Sequence, residues 1–514
     1  MQTLQVIIGL VQNFTNAEVK NVERVVFRNK SKSKLWQLFT LIYYKNVLEL
    51  DELIRKIYKE RSVKSVDSFR KLCDRFLDVV LEVISNQENF DQEKASYSEP
   101  YYNRKWLLKN IDLLQVLSTK KIPFDWLMKF IESLEHSAKK YEYIEELVLI
   151  LKFKIGIAAD NELYKKYYDA TSEYYKYLRY CELNSKSEFY LVKYIVFVQH
   201  HSIDDKSRIE DMQRVLLELE EYYLETKLIF ILFRKLMIEL QLLHYREDFE
   251  SAEQVVLKLI EITENCSPLK NFGRIAANYM NLAFTQFYLY KFYEAYDNSL
   301  KSIGKIKLPG FVRNASLDST VFALIYLKQP SEAEEKLTEI LRMELIGSTP
   351  AQFAKRNLMM AFIKYLQKDY KGAFKYLQKT KEIETDKEGW NLGIRMLNIY
   401  LTLSTDKVDL ADQRISSMRK HIERTVKQRN MRKRDVVIFR VLSHLSRSGF
   451  DFADTWAERQ KDFQLLKSDL PDYKWVPRSH ELIIFDQWFE AKMKGVEYDP
   501  VFPSPKPKTV VEKN

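Results

Sequence analysis

Metal chemistry needs His, Cys, Asp or Glu at ligand spacing, and nucleophilic hydrolysis needs a Ser or Cys beside a base. The 514-residue sequence offers neither pattern. Its seven histidines (His136, His200, His201, His244, His421, His444, His480) form no His-Glu-x-x-His motif, and none pairs at i, i+4 spacing with a nearby carboxylate ligand. His200 and His201 stand before Ser202 as a basic helix end facing the dipole, which needs no metal. Cys73, Cys181 and Cys266 lie far apart without a Cys-x-x-Cys spacing, which fits three small buried apolar residues in a reducing compartment. Phosphate loops need clustered glycines. Here only Gly389 and Gly393 approach one another, inside a helical pattern and without the following Lys-Ser/Thr, so close packing is their expected role. Acidic groups such as Glu218, Glu220 and Glu221, or Glu334 and Glu335, fall on polar helix faces. The residues give no catalytic set, no metal site and no cofactor site, and the expectation is a protein that is not an enzyme.

Two basic features invite a different chemistry. From Arg419 to Arg434, eight Lys/Arg face one Glu in sixteen residues. Within this run Arg424, Lys427, Arg429, Arg432, Lys433 and Arg434 are candidate anion-binding residues, for nucleic-acid phosphates or an acidic partner segment. The alternative is a solvated helix junction, and the aromatic interleaving of single-strand binders is missing. Near the N-terminus a basic stretch (Arg24, Arg28, Lys30, Lys32, Lys34) precedes three helical patterns at residues 35–44, 50–60 and 65–84, with Asp51 or Ser65 as candidate caps. The last could act as the recognition helix of a helix-turn-helix through Arg70, Lys71 and Arg75. Against that, Phe69, Leu72, Phe76, Leu77 and Val80 make it read as a core helix.

The elements that must position these residues are helices. Glycine (11) and proline (12) are 23 of 514 residues, well under the roughly 12% of average proteins, which excludes turn-rich β folds. Apolar residues are 46% and charged residues 30%, with a mild net charge of +10. The chain is long enough for several domains or a repeat array. Apolar residues recur at i, i+3, i+4 and i+7 in residues 107–117, 211–224, 252–262, 332–343 and 373–383. Residues 161–181 and 186–199 read as two further helices. The N-terminal stretch has no basic n-region or small-residue cleavage site, and no segment reaches the ~18 apolar residues of a membrane span, so the expected location is cytoplasmic.

An aromatic or apolar residue followed three positions later by alanine recurs as Phe249…Ala252, Phe292…Ala295, Tyr370…Ala373 and Phe450…Ala453, with weaker copies at Pro330…Ala333 and Val408…Ala411. The alanines are 43, 38, 40, 38 and 42 residues apart (295−252, 333−295, 373−333, 411−373, 453−411). A methyl side chain lets helix axes approach to about 8–10 Å. With Tyr279, Leu282 and Ala283 before Ala295 and Ser302 after it, and Met360 and Ala361 before Ala373 and Thr380 after it, residues 235–465 resemble tetratricopeptide (TPR) repeats.

The resemblance implies an all-α, TPR-like α-solenoid of antiparallel helix pairs. The expected organisation is an N-terminal helical domain (1–86, a candidate helix-turn-helix), a linker (87–99), a helical-hairpin region (100–235), the repeats (236–470), a C-terminal capping helix (471–497) and a disordered tail (498–514). It also implies a protein or peptide partner on the concave face, with Asn278, Asn281, Gln286, Asn357 and Lys364 as partner-binding candidates by repeat position, hence a scaffold or adaptor. The alternative is a transcriptional or RNA-linked regulator whose N-terminal helices bind nucleic acid.

Overall fold

The computed structural model describes residues 2–12, 14, 16–27, 33–85, 99–118, 123–199, 205–306, 310–342, 349–380, 382–383, 386, 389–426 and 432–505. Among these the chain is all-helical, with 24 α-helices and no strand. It divides into two compact units, Met1–Leu178 and Arg179–Asn514.

In the first unit, α1 (Gln2–Gln12), α2 (Asn16–Phe27), α3 (Lys34–Phe39), α4 (Leu50–Tyr58) and α5 (Val63–Ser85) share one core. α5 crosses its centre because Phe69, Leu72, Cys73, Phe76 and Val80 form a stripe one turn apart, and all are buried. Its N-terminus is capped by Ser62, whose Oγ accepts from the Ser65 amide at 3.2 Å, while Ser65 Oγ accepts from the Ser62 amide at 2.7 Å. The cap expected at Ser65 thus belongs to Ser62, and α4 begins without a side-chain cap at Glu49 rather than at Asp51. α6 (Glu99–Ser118), α7 (Phe124–Lys140) and α8 (Ile144–Asp160) build a second core in this unit. The expected linker lies outside the described residues except for Glu99, which opens α6. The two helices expected over 161–199 are one, α9 (Tyr164–Gln199), with the unit boundary inside it. No Gly or Pro interrupts it, and Ser187 Oγ bonds back to the Asn184 carbonyl instead of breaking the helix.

The second unit continues with α10 (Asp205–Thr226), α11 (Ile229–Tyr245), α12 (Phe249–Asn265), α13 (Phe272–Tyr288), α14 (Phe292–Lys305), α15 (Phe311–Tyr326), α16 (Pro330–Arg342), α17 (Pro350–Leu366), α18 (Tyr370–Lys379), α19 (Trp390–Ser404), α20 (Val408–Val426) and α21 (Lys433–Arg447). Short helices α22 (Phe452–Glu458), α23 (Gln460–Leu466) and α24 (Phe485–Met493) end the chain. From α10 to α22 each helix packs on its chain neighbours, and α13 also meets α15 as α17 meets α19.

Five of the six marker alanines, Ala252, Ala295, Ala333, Ala373 and Ala411, are completely buried where a pair closes. Ala453 is exposed, because α22 turns Thr455 inward in its place. The turns inside the pairs share one device. A non-glycine residue with left-handed backbone follows the first helix (Glu247, Tyr290, Lys328, Lys368 and Asp406, φ 54–65°). The next amide then closes back onto that helix, as in Lys291 N to Gln286 O at 2.9 Å and Asp369 N to Lys364 O at 2.9 Å. Replacing the methyl at such a seam by a branched chain forces the helices apart. Ala373→Leu is expected to lower the stability of the second unit by about 1–3 kcal/mol, read as a fall in urea midpoint, whereas Ala453→Leu leaves it unchanged.

Candidate functional site: a helix face covered by the chain's own C-terminal segment

Helices α15 and α17 each carry an uninterrupted apolar run, and α19 keeps only a narrow polar stripe of Asn391, Arg395, Asn398 and Thr402. The run Val321, Phe322, Ala323, Leu324, Ile325, Tyr326 is buried on every side, as are Leu358–Ile363 and much of 390–403. A helix apolar all round must be covered all round. One side of α15, α17 and α19 is covered by residues 471–502. The capping helix expected over 471–497 is therefore a short helix, α24, between two irregular arms. The tail expected to be disordered from 498 is ordered as far as residue 505, because Tyr498 and Phe502 supply the aromatic area that its prolines and lysines lack. Residues 506–514 lie outside the described residues.

The middle of the segment is locked into the core. Trp488 is fully buried, donates Nε1–H to Tyr365 Oη at 2.9 Å, and lies 4.5 Å from the Tyr400 ring. Arg434 of α21 is also fully buried. Its guanidinium meets Glu481 at 2.6 and 2.8 Å and Asp486 at 2.8 Å, and its Nη1 donates to the carbonyls of Leu466 (2.7 Å) and Tyr473 (2.6 Å). Burial opposes that charge, yet the two carboxylates raise the guanidinium pKa further. Beside it His480 Nε2 lies 3.1 Å from Asp435 Oδ1, both buried. Burial alone would favour neutral imidazole, but Asp435 outweighs it and holds His480 above its usual 6.5. Burial likewise opposes the Asp435 charge, and His480 draws that carboxyl below its usual 3.8. The charged groups facing His480 are Asp435, Arg432 and Glu481.

The sign follows. The His480 contribution is fully present below pH 6.5 and is lost as pH rises through its raised folded value. That of Asp435 is present above pH 3.8 and is lost as pH falls through its lowered one. The urea midpoint of the second unit is expected to decline from pH 6.5 upward, and His480→Gln to flatten that decline.

Gly389 and Gly393 do serve close packing, but against this segment. Gly389 opens α19 at φ 84°, and a Cβ on Gly393 would stand 2.4 Å from the His480 carbonyl oxygen. Gly393→Ala is expected to push the segment off α19, with increased proteolysis around residues 471–481 as the readout.

The outer arms are held differently. Phe502 packs on Tyr326, Phe292 and Trp475 with ring centroids 4.9, 6.4 and 5.7 Å away. At the edges, lysines of the left-handed turns reach the segment: Lys328 to Asp499 at 2.9 Å and Lys368 to Glu497 at 2.5 Å. Lys474 returns the contact to Glu247 at 2.6 Å, and Lys433 meets Asp472 at 2.5 Å. Exposed pairs of this kind contribute little and weaken with salt.

Arg478 sits with left-handed backbone (φ 60°) in an aromatic cup. Its guanidinium lies 3.8 Å from the centroid of Phe284, 5.0 Å from Phe287 and 5.5 Å from Phe322. Nη1 donates to Ser319 Oγ at 2.6 Å, and the Arg478 amide donates to Tyr326 Oη at 2.7 Å. Asp318, next to Ser319, is paired with Arg356 at 2.7 Å; burial holds its carboxyl above its usual 3.8, against the opposing pull of Arg356 and Arg478.

The candidates drawn from the sequence are dispersed. Asn278 is buried and donates to the Leu259 carbonyl and Thr263 Oγ1, and Gln286 is buried between Glu253 and Asn298. Both amides are consumed inside helix contacts, which corrects their assignment to a partner. Asn281 and Asn357 are half-buried, and Lys364 pairs with Glu334 at 2.6 Å. Of the basic run, Lys427 and Arg429 lie outside the described residues, as does the side chain of Arg424. Arg432 donates to the Lys474 carbonyl at 3.5 Å. Arg434 is corrected outright: it is a core cation with no surface to offer an anion. The signal that could have located the site was the pair of uninterrupted apolar runs Val321–Tyr326 and Leu358–Ile363.

Among the other candidates, His200 and His201 lie outside the described residues. Cys73 is buried, its thiol pushed up to about 12 by burial, whereas Cys181 and Cys266 are only half-buried, against the expectation for all three. The exposed side of α5 alternates Lys64, Arg70, Lys71 and Arg75 with Asp67, Asp74 and Asp78, and Lys71 pairs with Asp67 at 3.0 Å, so it offers no one-sign surface to a phosphate backbone. His444, Asp454 and Glu458 bring ligand atoms within 4.8 Å of one another. Yet Arg459 lies 3.2 Å from His444 Nδ1, which must accept and leaves the ring proton on Nε2, facing Glu458 at 3.2 Å. A metal beside Glu458 would take Nε2 as its ligand, which needs the ring proton moved to Nδ1, the atom that Arg459 faces. No helix among the described residues is long and apolar enough to cross a membrane. Comparison with protein-family models, with curated proteins and with solved structures returns no match to this chain.

Proposed function

We propose that this chain is a non-catalytic interaction protein, a scaffold or adaptor, in which a TPR-like array of antiparallel helix pairs binds an extended segment of a partner protein along the face of its first helices. The observation that carries the reading is residues 471–502. They lie on α13, α15, α17, α19 and α21 through ring stacking, an arginine cup and side-chain hydrogen bonds to an irregular backbone. A face that holds an irregular stretch of its own chain this way has the chemistry to hold another. The array stacks neighbour on neighbour, which leaves one such face along its whole length.

The test is cross-linking of the tagged full-length protein in its native cells. Lys328 and Lys368, both about half exposed at the edge of the segment, are expected to give cross-links to another protein. Cross-links from these lysines confined to this chain would overturn the reading.

A further inference from the structure

The segment is not held uniformly, and the difference assigns a binding site. Residues 480–489 are fixed by the buried Arg434 cluster and by Trp488. Residues 472–479 have no helix; Trp475 is buried with its Nε1–H on the Glu481 carbonyl at 3.0 Å and the Tyr473 carbonyl accepts from Arg434 at 2.6 Å, while the Asp472–Lys433 pair is exposed and the Lys474–Glu247 pair partly so. The charged anchor of this arm is Arg478. Its flat guanidinium fits the ring face of Phe284, its donor edge meets Ser319, and Pro477 before it fixes the backbone that enters the cup.

Resting on the reading above, we propose that the cup of Phe284, Phe287 and Phe322 with Ser319 and Tyr326 is an arginine-recognition subsite for an extended Pro-Arg segment of a partner protein, and that Arg478 is its resident occupant. Displacing the arm gives up the Trp475 contacts and the Arg434 bond to the Tyr473 carbonyl, while the Arg434 pairs with Glu481 and Asp486 and the Trp488 seat remain, so a ligand must replace an aromatic contact as well as the arginine. A second copy of this chain brings the same arm untethered. The tethered arm competes at an effective concentration of about millimolar, so a second copy always loses. A different protein, with a Pro-Arg pair and a better aromatic flank than Trp475, is the ligand that wins.

The test uses full-length protein and a fluorescein-labelled peptide of residues 471–481, followed by fluorescence anisotropy. Arg478→Ala empties the cup, and this variant is expected to bind the peptide at least tenfold tighter than the wild-type chain. The same peptide carrying alanine at the arginine position is expected to lose that binding, and Phe284→Ala in the Arg478→Ala chain to weaken it at least tenfold. Circular dichroism reports whether Arg478→Ala folds. If it does not, Arg478→Lys, which keeps the charge and loses the planar stack, carries the test with the same direction. Equal weak binding to wild-type and variant chains, or peptide binding indifferent to its arginine, would overturn the subsite and make the arm a fixed cap. Those results leave the cross-linking outcome untouched, so the two readings fail separately.

Discussion

A chain ending at residue 470 is expected to lose the cooperative unfolding transition of its second unit and to aggregate. Removing the segment uncovers α15, α17 and α19 and takes Trp475, Phe485, Trp488 and Phe489 from the core, all of them buried. At about 1.5–3 kcal/mol for each buried large side chain, these four alone remove about 6–12 kcal/mol, comparable with the whole stability of an ordinary domain. The bare faces then form an apolar patch far beyond what soluble monomers expose. Size-exclusion chromatography and thermal denaturation read the result. A monomeric truncated chain that unfolds cooperatively at the wild-type temperature would mean that the segment only decorates the surface.

Arg434→Ala has the second-largest expected effect. It strands two carboxylates and the carbonyls of Leu466 and Tyr473 in a site with no water access, and breaking a buried pair from one side costs about 3–5 kcal/mol. The comparison is the triple variant Arg434→Met, Glu481→Leu, Asp486→Leu. It removes all three charges and is expected to recover part of the loss, the two carbonyls remaining without a donor. If the single variant unfolds at the wild-type denaturant midpoint, Arg434 is hydrated and the seat described for the segment is wrong.

The helices were readable because their signals are local. Five of the six marker alanines are buried between consecutive helices, and the apolar stripe of α5 is buried as its spacing implied. The absence of Gly and Pro across 161–199 should have joined two expected helices into one. The site was less legible because its parts are far apart in the chain. Arg478 reaches a cup made 194 to 156 residues earlier (478−284, 478−322). Arg434 was read from its neighbours as part of a basic surface, whereas its partners Glu481 and Asp486 arrive only when the chain folds back. Asn278 and Gln286 were assigned outward by repeat position. Their side chains turn inward to Leu259, Thr263 and Glu253, because a buried polar group must find a partner. Periodicity says which faces are buried; it does not say that residues 471–502 do the burying.

The central claim is that residues 471–502 cover the first-helix face in the intact protein. Hydrogen–deuterium exchange of the full-length chain tests it most directly. The account predicts that amides of residues 480–489 exchange as slowly as those of α15 and α17, while those of 472–479 exchange faster. Exchange of residues 480–489 on the timescale of a free tail, with α15 and α17 still protected, would contradict it.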